Sequence, residues 1–175
     1  MLGSIVRFKK AKLPSKRKLI GKYCFLEPID SRKHAKDLFN NFLKDKKNKI
    51  WTYLPYGPFK NYVNFKKWLK SFCLKKDPFF YAIYSIKYKQ FCGMASYLRI
   101  TPEYGVIEVG HINYSPILQN STAGTEAMYL MMKNAFETLG NRRYEWKCNT
   151  LNNPSKNAAK RLGFKFEGIF RQMVI

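Results

Sequence analysis

With 175 residues, 46% of them hydrophobic and 17% aromatic, the chain can bury a core as one domain and is not a disordered polymer. Thirty-three Lys and Arg against eleven Asp and Glu give a net charge of +22, which favours anionic partners over cationic ones. No apolar run approaches the ~20 residues that cross a bilayer, and the basic start lacks the apolar core of a secretory leader, so the cytoplasm is the expected location.

Residues 1–20 carry seven basic residues and no acid, which reads as a basic N-terminal arm with room for one short strand. Tyr23–Ile29 then reads as a strand. Ser31 is placed to cap a helix through Leu43, whose apolar stripe is Ala35, Leu38, Phe39 and Phe42. Trp51–Phe59 is an aromatic loop broken by Pro55, Gly57 and Pro58. Asn61–Leu74 reads as a second helix, and Asp77-Pro78 ends it.

Phe79–Ile86, Phe91–Ile100 and Val106–Tyr114 are strand-like runs joined by short turns, the pattern of an antiparallel meander. Thr125–Leu139 has apolar residues at helical spacing and Gly140 at its stop. Arg143–Asn149 reads as a fifth strand. Pro154 after an Asn153 cap opens a short helix ending at Gly163, and Phe164–Ile175 can form a last strand. The four cysteines (Cys24, Cys73, Cys92, Cys148) form no close pair and have only His34 and His111 beside them. They read as free thiols, with no metal site.

Two segments stand out chemically. Ile117–Ala127 is a run of small and polar residues entering a helix, where free backbone N–H groups and the helix dipole suit a phosphate. Leu151–Gly168 follows with an Asn-rich turn, a short helix and Arg161-Leu162-Gly163-Phe164.

Together these segments resemble the GNAT-type N-acetyltransferases, most closely the ribosomal-protein N-terminal acetyltransferase (Rim-like) branch, from Gly21 to the C-terminus. Gln119-Asn120-Ser121-Thr122-Ala123-Gly124 follows that family's Gln/Arg-x-x-Gly-x-Gly/Ala pyrophosphate loop, with Thr122 where glycine is usual. If that position requires a left-handed backbone, threonine fits it poorly. Asn152, Ser155 and Arg161–Gly168 match the branch well. Trp51–Phe59, Glu145–Cys148 and Gly168–Gln172 resemble a bacterial and fungal subgroup.

The resemblance implies an α/β (α+β) GNAT fold: a central, mostly antiparallel sheet of six to seven strands, about four flanking helices, and splayed fourth and fifth strands. The expected organisation is an arm over 1–20 and one acetyltransferase domain over 21–175 that lacks the family's final strand. It further implies direct transfer of acetyl from acetyl-CoA to a primary amine, a protein N-terminus or a small amine, in a ternary complex.

On the same basis Ile117, Leu118, Gln119, Asn120, Ser121, Thr122, Ala123, Gly124 and Thr125 would hold the CoA pyrophosphate. Asn152 would hold the pantetheine arm, and Ser155 would sit near the thioester sulfur. Backbone groups at Asn113–Ser115 would bind pantetheine, and Trp51, Tyr53 and Tyr56 either line the acceptor pocket or fill core.

A protonated amine needs a base. Glu108, on the strand entering the loop, is the first candidate and His111 the second. Strict alternation puts the two on opposite faces. Cys148 reads as a buried apolar residue rather than a nucleophile. A ribosome-associated or acidic protein partner fits the charge, a membrane role does not, and the chain is expected as a monomer or homodimer. The competing reading is a catalytically degenerate domain of the same fold that binds RNA or ribosome through its basic surface.

Overall fold

The computed structural model describes residues 7–173. Six strands form one sheet in sequence order: β1 Leu19–Ile20, β2 Cys24–Pro28, β3 Phe79–Ser85, β4 Gln90–Thr101, β5 Val106–Tyr114 and β6 Arg143–Trp146. All neighbours are antiparallel except β5 and β6, which run parallel. The helices are α1 Ala35–Phe42, α2 Tyr62–Phe72, α3 Thr122–Lys133 and α4 Asn153–Arg161.

Strand alternation sorts the core into two layers. Phe80, Ala82 and Met94 face α1 and α2, where Leu38, Phe42, Phe65 and Leu69 are buried. Tyr81, Ile83, Ala95 and Tyr97 face α3, against Ala127, Met128 and Met131. Each fully buried Leu or Phe in these layers contributes roughly 2 kcal/mol through removal from water.

The helix starts differ from the sequence reading. Ser31 does not cap α1; the chain first makes a turn in which Asp30 accepts from the N–H groups of Arg32 (2.7 Å) and Lys33 (3.1 Å). His34 Nδ1 accepts from Asp30 N–H at 2.8 Å, so its Nε2–H donates to Glu27 Oε1 at 2.8 Å. The helix then begins at Ala35. At α4 the cap is Asn152 rather than Asn153, its Oδ1 accepting from Ser155 N–H at 3.2 Å.

Residues 7–20 lie along the domain. Ala11 N–H donates to Pro102 O (3.0 Å), Lys12 N–H donates to Leu139 O (2.7 Å), and β1 pairs with β2. At the other end, no strand forms over 164–173, although the residues alternate in character; 174–175 fall outside the described residues. The segment meets the edge strand β6 through side chains, Phe164 on Tyr144 and Trp146 and Glu167 on Arg143, without forming a backbone ladder, and Phe166, Ile169 and Phe170 are exposed. Alternation selects faces but does not supply a partner.

Glu126 fastens α3 to the sheet. Its carboxylate accepts from the backbone N–H groups of Lys22 (2.8 Å), Tyr23 (2.7 Å) and Cys24 (2.9 Å). Burial pushes its proton affinity up, but these three donors outweigh it and hold the carboxyl below its ordinary value. Replacing Glu126 by alanine is expected to cost about 2–3 kcal/mol, which lowers the melting temperature by roughly 5–10 °C. A change below about 1 °C by scanning calorimetry would show that the contact contributes nothing.

Candidate active site

The site is built where β5 and β6 part. Their parallel pairing covers Val106–Val109 against Arg143–Trp146 and then stops, while β5 stays paired to β4 as far as Tyr114. These are the fourth and fifth strands of the sequence reading, renumbered by the short β1. A cavity of about 540 Å³ opens in the gap, with Gly110, His111, Ile112 and Tyr114 on one wall and Trp146, Lys147, Cys148 and Asn149 on the other.

One end of the cavity is the loop that enters α3. Ser121 caps that helix; its Oγ accepts from Gly124 N–H (3.0 Å) and donates to Leu118 O (2.6 Å). Leu118 is buried and anchors the loop, and Asn120 carries its left-handed backbone, φ 52°. Asparagine tolerates that conformation through its short polar side chain. Thr122 is instead the first residue of α3, so the position needs no glycine.

Among the described residues, the N–H groups of Asn120, Ser121, Thr122 and Ala123 have no protein acceptor. Four consecutive free donors at a helix N-terminus suit a diphosphate. Gly124 lets the helix approach: a Cβ there would lie 2.7 Å from Leu118 O and 3.0 Å from Tyr114 Cε2. Tyr114 reinforces the approach by donating its hydroxyl to Gly124 O at 2.8 Å. On the other flank of the loop, Lys22 and Lys87 border a hollow of about 800 Å³ that Ile117 and Ala123 also line.

Asn152, Ser155, Gly124 and Thr125 line the same cavity as the loop. Trp146 Nε1–H donates to Ser155 Oγ at 2.9 Å, leaving the Ser155 proton to be donated elsewhere. Trp146 was not among the sequence candidates. Its signals are its place within the strand read over Arg143–Asn149 and within Glu145–Cys148, the stretch that resembles a subgroup.

The two base candidates are placed very differently. Between Met94↔Asn113 and Ser96↔Gly110, two steps on β4 face three on β5, so β5 carries one extra residue. His111 sits in this bulge with φ 50°. The bulge cancels the alternation argument: Glu108 pairs with Leu98, Gly110 with Ser96, and His111 lies 5.4 Å from Phe80, which itself pairs with Ser96. Glu108 and His111 therefore share the face that packs on α1 and α2, a correction to the opposite-face expectation.

Glu108 is 2% exposed and does not line the cavity. Arg99 donates through Nε to Oε2 (2.7 Å) and through Nη2 to Oε1 (2.5 Å), and Lys147 Nζ donates to Oε2 (2.6 Å). Lys147 also pairs with Glu145, and Arg143 joins Glu145 to Glu167. Glu108 is thus the inner end of a chain of ion pairs that aims Lys147 at the cavity.

His111 faces the cavity directly. Its Nδ1 is 3.1 Å from Tyr56 Oη, and Phe72 and Phe80 pack on its ring. Burial first, then the positive charge of Arg99, lowers its proton affinity from the ordinary 6.5. The imidazole is therefore neutral at pH 7. Of the aromatic loop, Tyr53 lines the cavity and Tyr56 touches His111, whereas Trp51 is core.

Residues 24–165 match the family model for an acetyltransferase (GNAT) domain. The chain belongs to the GNAT acetyltransferase family. Its fold is close to a GCN5-related N-acetyltransferase from Brucella melitensis, at 36% identity and TM-score 0.92 over 95% of this chain and 76% of that one. A GNAT-family chain from Chromobacterium violaceum ATCC 12472 is 35% identical with TM-score 0.89, over 99% and 86%. The ribosomal-protein-S5-alanine acetyltransferase from Vibrio fischeri shares the fold at 16% identity and TM-score 0.64, over 87% and 85%. None of the curated proteins matches. Membership of this family implies acetyl transfer.

Proposed function

We propose that this GNAT domain transfers acetyl from acetyl-CoA to a primary amine by direct attack in a ternary complex, with His111 as the general base. The observation that carries this reading is a neutral, cavity-facing imidazole in the same 540 Å³ space as Asn120 and Ser121, the first two of the four residues whose N–H groups have no protein acceptor.

The free donors at Asn120–Ala123 and the close approach at Gly124 fit a pyrophosphate, and Asn152 and Ser155 border the route inward. Acetyl-CoA supplies there an activated thioester carbonyl. In the tautomer whose Nδ1–H donates to Tyr56 Oη, His111 Nε2 holds a free lone pair for the proton of the attacking amine. Ser155, already accepting from Trp146, donates its proton toward the departing thiolate. Glu108 takes the part of a positioning residue that holds Lys147, in place of the base role suggested by the strand position.

The amine is a protein N-terminus or a small amine. The fold shared with the ribosomal-protein acetyltransferase from Vibrio fischeri favours a protein N-terminus, and a ribosome-associated or acidic partner fits the net charge of +22. The family supports a place in the cytoplasm, and among the described residues no helix is long and apolar enough to cross a membrane. The degenerate reading drew on Thr122, and its helical backbone withdraws that support.

Titration calorimetry with acetyl-CoA tests the reading, micromolar binding being the expected result; no binding would overturn it. Ser155→Ala is expected to leave that affinity within about threefold while lowering kcat roughly 10- to 100-fold, and Trp146→Phe to do the same more mildly. Unchanged kcat in Ser155→Ala would remove the serine from the chemistry.

A further inference from the structure

The eleven carboxylates of the chain are all engaged within the fold. Asp30, Asp37, Asp45, Asp77 and Glu126 accept backbone N–H groups. Glu27, Glu103, Glu108, Glu137, Glu145 and Glu167 are in ion pairs. Among the described residues the cations they engage are Lys10, Lys18, Lys33, Arg99, Lys133, Arg143 and Lys147. Residues 46–76 contribute nine lysines, no arginine and no acid. All nine are exposed, and none has an ion-pair partner among the described residues.

This stretch is the wall of the acceptor side. Lys49 and Tyr53 line the cavity, Tyr56 bonds His111, and Phe72 packs on the His111 ring. The helix that braces His111 from inside, α2, presents Lys66, Lys67 and Lys70 outward. Like charges at spacings of three and four destabilise a helix rather than support it. The stretch therefore carries a concentrated positive field that reaches the cavity at Lys49, with no acid between Asp45 and Asp77 to offset it.

Resting on the acetyl-transfer reading above, we propose that the amine is presented by an acidic polypeptide whose carboxylates settle on the lysine wall of residues 46–76. Lysine ammonium groups attract carboxylates as flexible point charges that require no fixed geometry. A polypeptide also carries an aliphatic amine to acetylate, which a nucleic acid does not. The field would act mainly on capture, raising the association rate, and would be screened by salt.

Two peptides with the same free N-terminal serine, one with four glutamates from the third position and one with glutamines there, give the test. At about 50 mM salt, kcat/KM for the glutamate peptide is expected to be about tenfold or more above that for the glutamine peptide, with most of the advantage lost at about 300 mM. The quadruple variant K60Q/K66Q/K67Q/K70Q should lose that advantage while keeping its activity on the glutamine peptide and its acetyl-CoA affinity. Equal use of the two peptides, or a preference that survives in the variant, would overturn the inference with acetyl transfer intact. Single-stranded RNA bound through the same lysines, with no peptide preference, would overturn it in favour of nucleic acid. Fluorescence anisotropy of the labelled peptides separates docking from turnover. A lysine-dependent preference in binding with no transfer would uphold the surface and count against the acetyl-transfer reading itself.

Discussion

Substituting His111 by asparagine is expected to lower kcat/KM roughly 100- to 10,000-fold, the usual worth of a positioned general base. Asparagine is the informative replacement because it tolerates the left-handed backbone that position 111 adopts, φ 50°, so the bulge survives. The pH profile carries the sharper signature. Burial and Arg99 lower the His111 proton affinity, so the acid limb should lie below the ordinary histidine value of 6.5. Activity is present above that limb and lost as pH falls through it, because only the neutral imidazole accepts a proton. In His111→Asn the limb should vanish. In Glu108→Gln it should remain, with stability reduced by about 2 kcal/mol as Arg99 and Lys147 lose their shared partner. A limb abolished by Glu108→Gln and kept by His111→Asn would return the base role to the carboxylate. Thiol release with the serine peptide reads both.

The second large effect is at Gly124. A Cβ at 2.7 Å from Leu118 O has only backbone to push against, so even alanine must shift the loop away from β5. Acetyl-CoA affinity is expected to fall about tenfold in Gly124→Ala and about 100-fold or more in Gly124→Val, since overpacking costs of 1–3 kcal/mol map onto these factors. Calorimetric titration measures this directly. Melting temperatures of both variants should show a folded protein, and an undiminished affinity in folded Gly124→Val would mean that this loop does not hold the pyrophosphate.

The fold was legible wherever a local pattern fixed both the element and its neighbour. The meander over Phe79–Tyr114 reads from alternation and short turns, and α2 from helical spacing over Asn61–Leu74. The phosphate loop reads from its small residues, whereas α3 starts at Thr122 under a Ser121 cap, three residues before the helix that the spacing predicts over Thr125–Leu139. Pattern failed where a partner decides the outcome. Residues 164–173 alternate like a strand but meet β6 by side chains only and form no ladder, and β6 ends at Trp146 because its pairing with β5 ends there. At the site, Asn152 and Ser155 line the expected cavity, whereas the roles of Glu108 and His111 were hidden. A single inserted residue in β5 reverses their relative facing, and no composition or spacing signal marks it. Tyr56 is among the aromatic candidates for the acceptor pocket, but its bond to His111 and that of Trp146 to Ser155 cross 55 and 9 residues of chain and have no local signal.

The bulge also makes strand length a functional quantity in its own right. Side chains along β5 act as teeth on a gear, and the extra tooth at His111 sets which way every later one points. Substitutions along this strand test one contact at a time, but loss of Ile112 would turn the whole imidazole away from Tyr56 and Phe72 while leaving both flanking ladders able to pair. Relatives that differ in length by one residue at this point would be expected to have moved their proton acceptor to another strand, however similar the rest of their sequence.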